Sequence, residues 1–331
     1  MTEQGADWRP SATLDALRHR AELLARLRTY FAEQGVLEVE TPLLSTSSIP
    51  DPHIPSFVIP ADVATPGSEA PRYLNTSPEF AMKRLLAAGM GPIYQVCKAF
   101  RRGEQGSHHN PEFTLLEWYR PGFDHLRLMD EVEALVRRLA EGLRPLGPAE
   151  RISYRTCFQQ YLQIDPFDVT VFALKSCARE QGLGTVAGLS DEDRDGWLDL
   201  LMGHCIQPQL GRGFPCFVYD YPVSQAALAR IRPGEPPVAE RFELFIDGIE
   251  LANGFHELQD AREQRARFEA DLARRQTEKL ESVTLDERLL GALTAGLPDC
   301  AGVALGMDRM QLVLTPANQL SEVLAFSYDR S

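Results

Sequence analysis

No C-x-x-C pair occurs among the six cysteines, Cys97, Cys157, Cys177, Cys205, Cys216 and Cys300, which stand apart along the chain. Neither a zinc ribbon nor a disulfide framework is expected, and the thiols read as scattered and reduced. Also absent are a signal-peptide core within residues 1–20 and any charge-free stretch near twenty residues, so no membrane partner is expected and the cytoplasm is the expected location. Positive charge is scarce: 34 Lys and Arg face 47 Asp and Glu, a formal net charge of −13. A phosphate backbone is neutralised by clustered basic residues. The longest basic runs here are pairs such as Arg101-Arg102 and Arg274-Arg275, so DNA is excluded as a partner and tRNA is not expected. There is no internal repeat and no convincing linker. What is present, 331 residues with 44% hydrophobic and 24% charged, suits a soluble globular enzyme and is enough for one large mixed domain or two ordinary ones.

Apolar residues recur at helical spacing as Leu14, Leu17, Ala21, Leu24, Leu27 and Phe31, and Gly35 is placed to end that helix. The alternation from Val36 to Leu44 predicts a strand whose Pro42 points to an edge or an interface. Asp62 to Pro71 reads as a surface loop. Ser77-Pro78-Glu79 opens a second helix with a cap, a proline at its first position and an early acid; Gly89 closes it. Strands are expected at 92–100 and 114–119, helices at 125–143, 172–181 and 195–205, strands at 217–221, 242–246 and 249–252, and a charged helix near 259–280. A strand from Gly302 to Gly306 leads into a last helix stopped by Pro316.

The sharpest inference from residues alone concerns Asp247-Gly248, a two-residue turn between apolar runs. That register pairs Phe245 with Glu250 and Glu243 with Ala252. Glu243 and Glu250 then share a face, about 7–8 Å apart between backbones, and their carboxylates suit Mg²⁺; the alternative is a solvent-facing acidic pair. Strict alternation turns Asn253 away from Glu250, so one pocket holding both requires a bulge or break, which Gly254 permits. His256 alone reads as a packed or surface histidine. Arg101, on a strand, has the planar fork that clamps an α-phosphate, and Phe113 offers a stacking face for adenine. Each is ordinary singly; with Asp308-Arg309 after Gly306 they describe a nucleotide site.

In order and wording these segments resemble the class II aminoacyl-tRNA synthetases of the lysyl branch across nearly the whole chain. The helix at 14–34 with Gly35 to Pro42 resembles motif 1, Phe100 to Phe113 motif 2, and Gly302 to Arg309 motif 3. The resemblance implies a single α+β catalytic domain over 1–331, with an antiparallel sheet flanked by helices, a helical insertion near 121–216, and a homodimer through the motif 1 region. It further implies ATP as substrate, Mg²⁺ on Glu243 and Glu250, and catalysis by Arg101, Glu250 and Arg309. The ATP-binding stretch carries over to Arg101, Arg102, Gly103, Glu104, His109, Asn110, Phe113, Glu243, Leu244, Gly306 and Arg309. Ser77, Pro78, Glu79, Glu117, Tyr119, Glu250, Asn253, Phe255, Glu257 and Ala304 match positions around a lysine-type amino acid. Where that family has a glutamate two residues after its motif 2 arginine, this chain has Gly103, with Glu104 next.

Two departures point away from tRNA charging. Motif 1 begins too early for a preceding anticodon-binding barrel, so none is expected. Ala304 stands where lysyl-tRNA synthetases usually carry glycine, and its methyl favours a substrate whose amine is shifted from the α position. Both resemble a paralogous family that activates (R)-β-lysine and transfers it to a lysine side chain of translation elongation factor P. The competing readings are a truncated lysyl-tRNA synthetase, an amide-forming amino-acid ligase on the same core, and a non-catalytic paralogue acting as a regulator.

Overall fold

A computed structural model describes residues 8–64, 70–183, 189–190 and 192–331. A long first helix, α1 (Leu14–Glu33), is capped by Thr13, whose hydroxyl accepts from Ala16 N, and it buries Leu23, Leu27, Tyr30 and Phe31. Gly35, at φ +66°, turns the chain out of it. The expected strand at 36–44 is shorter: only β1 (Leu37–Glu38) joins the main sheet, and Leu44–Ser45 pairs separately with Arg72–Leu74. Pro42, between them, has no N–H for a continuous ladder. Of the expected loop at 62–71, residues 61–64 form a helical turn and residues 65–69 lie outside the described residues.

The remaining strands of the main sheet are β2 (Ile93–Phe100), β3 (Glu112–Pro121), β4 (Glu150–Ser153), β5 (Cys216–Pro222), β6 (Val238–Ile246), β7 (Ile249–His256) and β8 (Cys300–Gly306). They run in the order β1-β2-β3-β8-β7-β6-β5-β4, with the short pair Ile231–Arg232 beside β6. Pairing is parallel only at the two ends, β1 with β2 and β4 with β5; between them it is antiparallel.

The register explains the two faces of this sheet, because directly paired residues project to the same side. One pair of rows runs Tyr94, Trp118, Val303, Gly254, Phe242 and Val96, Leu116, Leu305, Ala252, Leu244. These pack against α1 and against α3 (His125–Ala140), which buries Leu128, Met129, Val132, Leu135, Val136 and Leu139 at helical spacing. The alternate rows carry Ile93, Tyr119, Gly302, Phe255, Arg241 and Gln95, Glu117, Ala304, Asn253, Glu243. That face holds the polar residues.

Helix α2 (Glu79–Ala87) follows Ser77-Pro78, with Ser77 Oγ accepting from Glu79 N. Helices α4 (Tyr154–Leu162), α5 (Val171–Glu180) and α6 (Arg194–Leu201) build a second core against β5. Helices α7 (Ala261–Thr277) and α8 (Glu287–Gly296) pack with α2, and α9 (Met307–Leu314) follows β8. Neither α4 nor α8 was anticipated by the periodicity reading. Among the described residues no helix is long and apolar enough to cross a membrane.

Candidate active site

The hairpin turn forms as expected, with Ile246 opposite Ile249 and Phe245 opposite Glu250, but the register then slips by one, pairing Leu244 with Ala252 and Glu243 with Asn253. The extra residue is Leu251. Both Leu251 and Ala252 turn into the core with Leu244, so Glu250 and Asn253 project from the other face, where strict alternation would have separated them. The expected pairing of Glu243 with Ala252 is therefore corrected, and the break falls at Leu251 instead of Gly254. Gly254 has another role: a Cβ there would sit 2.4 Å from the Phe242 ring and 3.0 Å from Val303.

Above the bulge, one cavity is lined by Arg101, Glu104, His108, His109, Asn110 and Phe113 from the β2–β3 hairpin, Glu250 and Asn253 from β7, and Ala304, Gly306 and Arg309 around β8. Arg309 donates through Nε to His108 O (3.0 Å), through Nη1 to Glu250 O (3.0 Å), and pairs through Nη2 with His109 Nε2 (2.7 Å). Burial, and next the Arg309 charge, hold the His109 pKa down, which keeps its Nε2 free to accept. The Arg101 guanidinium lies 5.1 Å from the Phe113 ring centroid and 3.6 Å from Glu104 Oε1, and its buried Nε has no hydrogen-bond partner. Gly103 sits at φ +84° in the preceding turn, so the acid facing Arg101 is Glu104.

The structure does not bring every expected nucleotide residue to this cavity. Arg102 points away, 2.9 Å from Glu281. Leu244 is fully buried in the core below the sheet, and only its main chain is open to a ligand role. Glu243, its side chain 12% exposed, is held by Arg241 Nη2 at 2.5 Å. Burial raises the Glu243 pKa, Arg241 opposes this, and the Glu250 charge adds to the rise. Beside them the Asn253 Oδ1 is buried with no partner. Two carboxylates of like charge and an unpaired amide oxygen fit the hard-donor preference of Mg²⁺.

Deeper on the same face lies a buried acidic cluster. Ser77 Oγ and Tyr119 Oη each donate to Glu117, at 2.7 Å. Lys83 Nζ lies 2.6 Å from both Glu79 Oε1 and Glu257 Oε2. Glu79 and Glu257 thus share the Lys83 cation, and Glu117 stands near both as a third carboxyl. Burial and then the Glu79 charge push the Glu117 pKa up to about 8, against the hydrogen bonds from Tyr119 and Ser77. Burial raises Glu257 to about 7 in spite of Lys83. Ala304 stands in the row between Glu117 and Asn253. Gly302 lies where a Cβ would meet the Tyr119 ring at 2.3 Å and Glu257 Oε1 at 2.5 Å. Phe255 packs among the apolar side chains bordering the cluster, while Ser77, Pro78 and Glu79 also line a second recess with Arg84, Asp286 and Arg288. Lys83 and Arg241 escaped the sequence reading, although each had a signal: Lys83 follows Glu79 by one helical turn, and Arg241 alternates with Glu243 on a strand.

A carboxyl whose pKa is higher in the folded than in the unfolded chain binds its proton more tightly when folded. Its contribution therefore favours folding below the unfolded value and turns against it as pH rises toward the folded one. For Glu117 this window runs from 4.5 to about 8. Glu117→Gln is expected to flatten the fall in thermal stability of the ligand-free protein across that window. Melting curves at several pH values check this; an unchanged slope would show that Glu117 titrates as an ordinary carboxyl.

A large antiparallel sheet, with arginines from two distant segments and acids from a bulged hairpin on one face, is the catalytic architecture of a class II synthetase. The chain matches the family described as tRNA synthetases class II (D, K and N) over residues 1–330, and it belongs to that family. It is 49% identical over 327 residues to elongation factor P–(R)-β-lysine ligase of Erwinia tasmaniensis, with 98% of each chain covered. To the ligase of the same name from Salmonella paratyphi B it is 47% identical over 328 residues, covering 98% of this chain and 99% of the relative.

Proposed function

We propose that the protein activates (R)-β-lysine, or lysine, with ATP and transfers it to a lysine side chain of elongation factor P. The observation that carries this reading is the convergence of Arg101, Arg309, Glu250 and Asn253 on one cavity, continuous along the register row with the acidic cluster at Glu117. The names and near-complete coverage of the relatives support it.

The cluster at Glu79, Glu117 and Glu257 receives the substrate's ammonium groups. Its surplus of carboxylates over Lys83 gives an incoming cation a counter-charge, and a buried cation requires one. Asn253 and Ala304 then set how far the carboxylate end reaches toward the phosphates. A substrate carboxylate oxygen attacks the α-phosphorus, the bond to the bridging oxygen breaks, and pyrophosphate leaves. Arg101 steadies the charge at the α-phosphate, Arg309 holds the far end of the triphosphate, and Phe113 faces the adenine. Glu243 and Glu250 would hold Mg²⁺, which when bound screens the phosphate charge. In the second step the acceptor ε-amine attacks the acyl carbon, AMP departs, and the amine proton is lost. Exposed Leu37, Leu43, Leu44 and Val58, on or beside the first short strands, support a homodimer through this region.

Amino-acid-dependent pyrophosphate exchange, followed by label transfer to purified elongation factor P or to tRNA, tests the proposal. Exchange with (R)-β-lysine and transfer to the factor are expected; transfer to tRNA alone overturns it. No exchange with any amino acid would favour a regulator. Ala304→Gly is expected to raise use of α-lysine by about the 10-fold that one methylene is worth, and an unchanged preference would remove Ala304 from the selectivity.

A further inference from the structure

On the sheet face opposite the cavity, the start of α3 meets the ends of β6 and β7. His125, the first residue of α3, is 1% exposed, and neither of its ring nitrogens has a hydrogen-bond partner. Its Nε2 stops 3.7 Å from Asp220 Oδ1, which is also buried and unpartnered. An unmade hydrogen bond at a buried polar group is destabilising, so a ligand that takes up these atoms would remove a standing penalty.

The surroundings are arranged as a donor set. Ligand atoms of His125, Glu240 and His256 all lie within 4.8 Å of one another. Arg232 engages Asp220 Oδ2 at 2.6 Å and Glu240 Oε1 at 3.5 Å, which leaves Asp220 Oδ1 and Glu240 Oε2 for the histidines. His256 Nδ1 meets Glu240 Oε2 at 2.6 Å, while its Nε2 meets Asp299 Oδ1 at 2.8 Å and Arg230 at 3.4 Å. A carboxylate on the outer nitrogen of a histidine is the usual support of a metal-bound imidazole, because it fixes the tautomer that presents the other nitrogen.

We propose that His125, Glu240 and His256 bind a divalent transition ion of the zinc type, with Asp220 or a water as the fourth donor. Two imidazoles and a carboxylate suit such an ion better than Mg²⁺, which prefers oxygen donors alone. The ion would take the place of the proton between His256 Nδ1 and Glu240 Oε2 and would give His125 its missing partner. It would tie the first turn of α3 to β6 and β7, a structural role separate from activation. Arg230 and Arg232 oppose a further cation here, and the carboxylates of Asp220, Glu240 and Asp299 answer them.

The test uses the full chain, stripped of metal and titrated with Co²⁺ and then Zn²⁺ in excess Mg²⁺. One equivalent is expected to bind, with the visible absorption of a four-coordinate Co²⁺ site and no thiolate charge-transfer band, and Zn²⁺ is expected to raise the melting temperature. His125→Ala, and the closer-sized His125→Asn, are expected to weaken binding at least tenfold while pyrophosphate exchange persists. No stoichiometric binding to the unaltered protein, a thiolate spectrum, or unchanged affinity in a folded His125 variant would each overturn the proposal. The titration of the unaltered protein decides the question even if neither variant folds.

Discussion

Arg101→Ala is expected to lower amino-acid-dependent pyrophosphate exchange by a factor of about 10²–10³, the usual effect of removing one preorganised donor from a developing anion. The guanidinium is poised for this use. Phe113 supports its plane at 5.1 Å, Glu104 reaches only to 3.6 Å, and the buried Nε has no partner. Because the interaction strengthens as charge builds at the α-phosphate, the loss should appear in kcat more than in the KM for ATP. Lysine at 101 restores charge without the fork and should recover only part of the rate. Steady-state exchange kinetics check this; a change of less than threefold, with folding intact, would take Arg101 out of the reaction.

Lys83→Met is expected to cost about 3–5 kcal/mol of folding stability, the penalty for stranding buried carboxylates without their cation. Lys83 is 2% exposed in its side chain and Glu257 1%, and both ion pairs are 2.6 Å long. Burial alone would depress the lysine pKa, but the Glu257 and Glu79 charges outweigh it and raise the value. A lysine raised in the folded state contributes stability that is fully present below its unfolded pKa and is lost only as pH climbs through the folded one. Deprotonation of Lys83 therefore removes none of this contribution at neutral pH. The deficit of the variant should shrink as pH falls below about 7, where Glu257 takes up its proton. Combining Lys83→Met with Glu257→Gln should recover part of the loss, and denaturant melts of the single and double variants measure it. A deficit under 1 kcal/mol would mean that Glu79 and Glu257 do not depend on Lys83.

Much of the scaffold was open to sequence reasoning because local chemistry agreed with the fold. Gly35, the Asp247-Gly248 turn and the helical spacing of α1 and α3 point where the structure goes, but the buried stripe of α1 runs through Leu23, Leu27, Tyr30 and Phe31, while Leu14 and Ala21 of the expected face are exposed. The candidate site was legible as motif wording, but its geometry was not. Alternation from the turn predicts which residues share a face only while the ladder is regular, and the extra residue at Leu251 resets it. Nothing in the local sequence marks Leu251 as the bulge, since its cause is tertiary: both it and Ala252 gain core contacts. The strand expected at 36–44 failed for the opposite reason, as a local alternation with no partner beyond Glu38 in the main sheet.

The most direct test is a crystal structure of the protein with ATP, Mg²⁺ and (R)-β-lysine. The account predicts one nucleotide with its adenine against Phe113, Arg101 at the α-phosphate, Arg309 at the γ-phosphate, and Glu243 and Glu250 on the metal side. A nucleotide bound outside this cavity, or inside it with neither arginine touching phosphate, would contradict it.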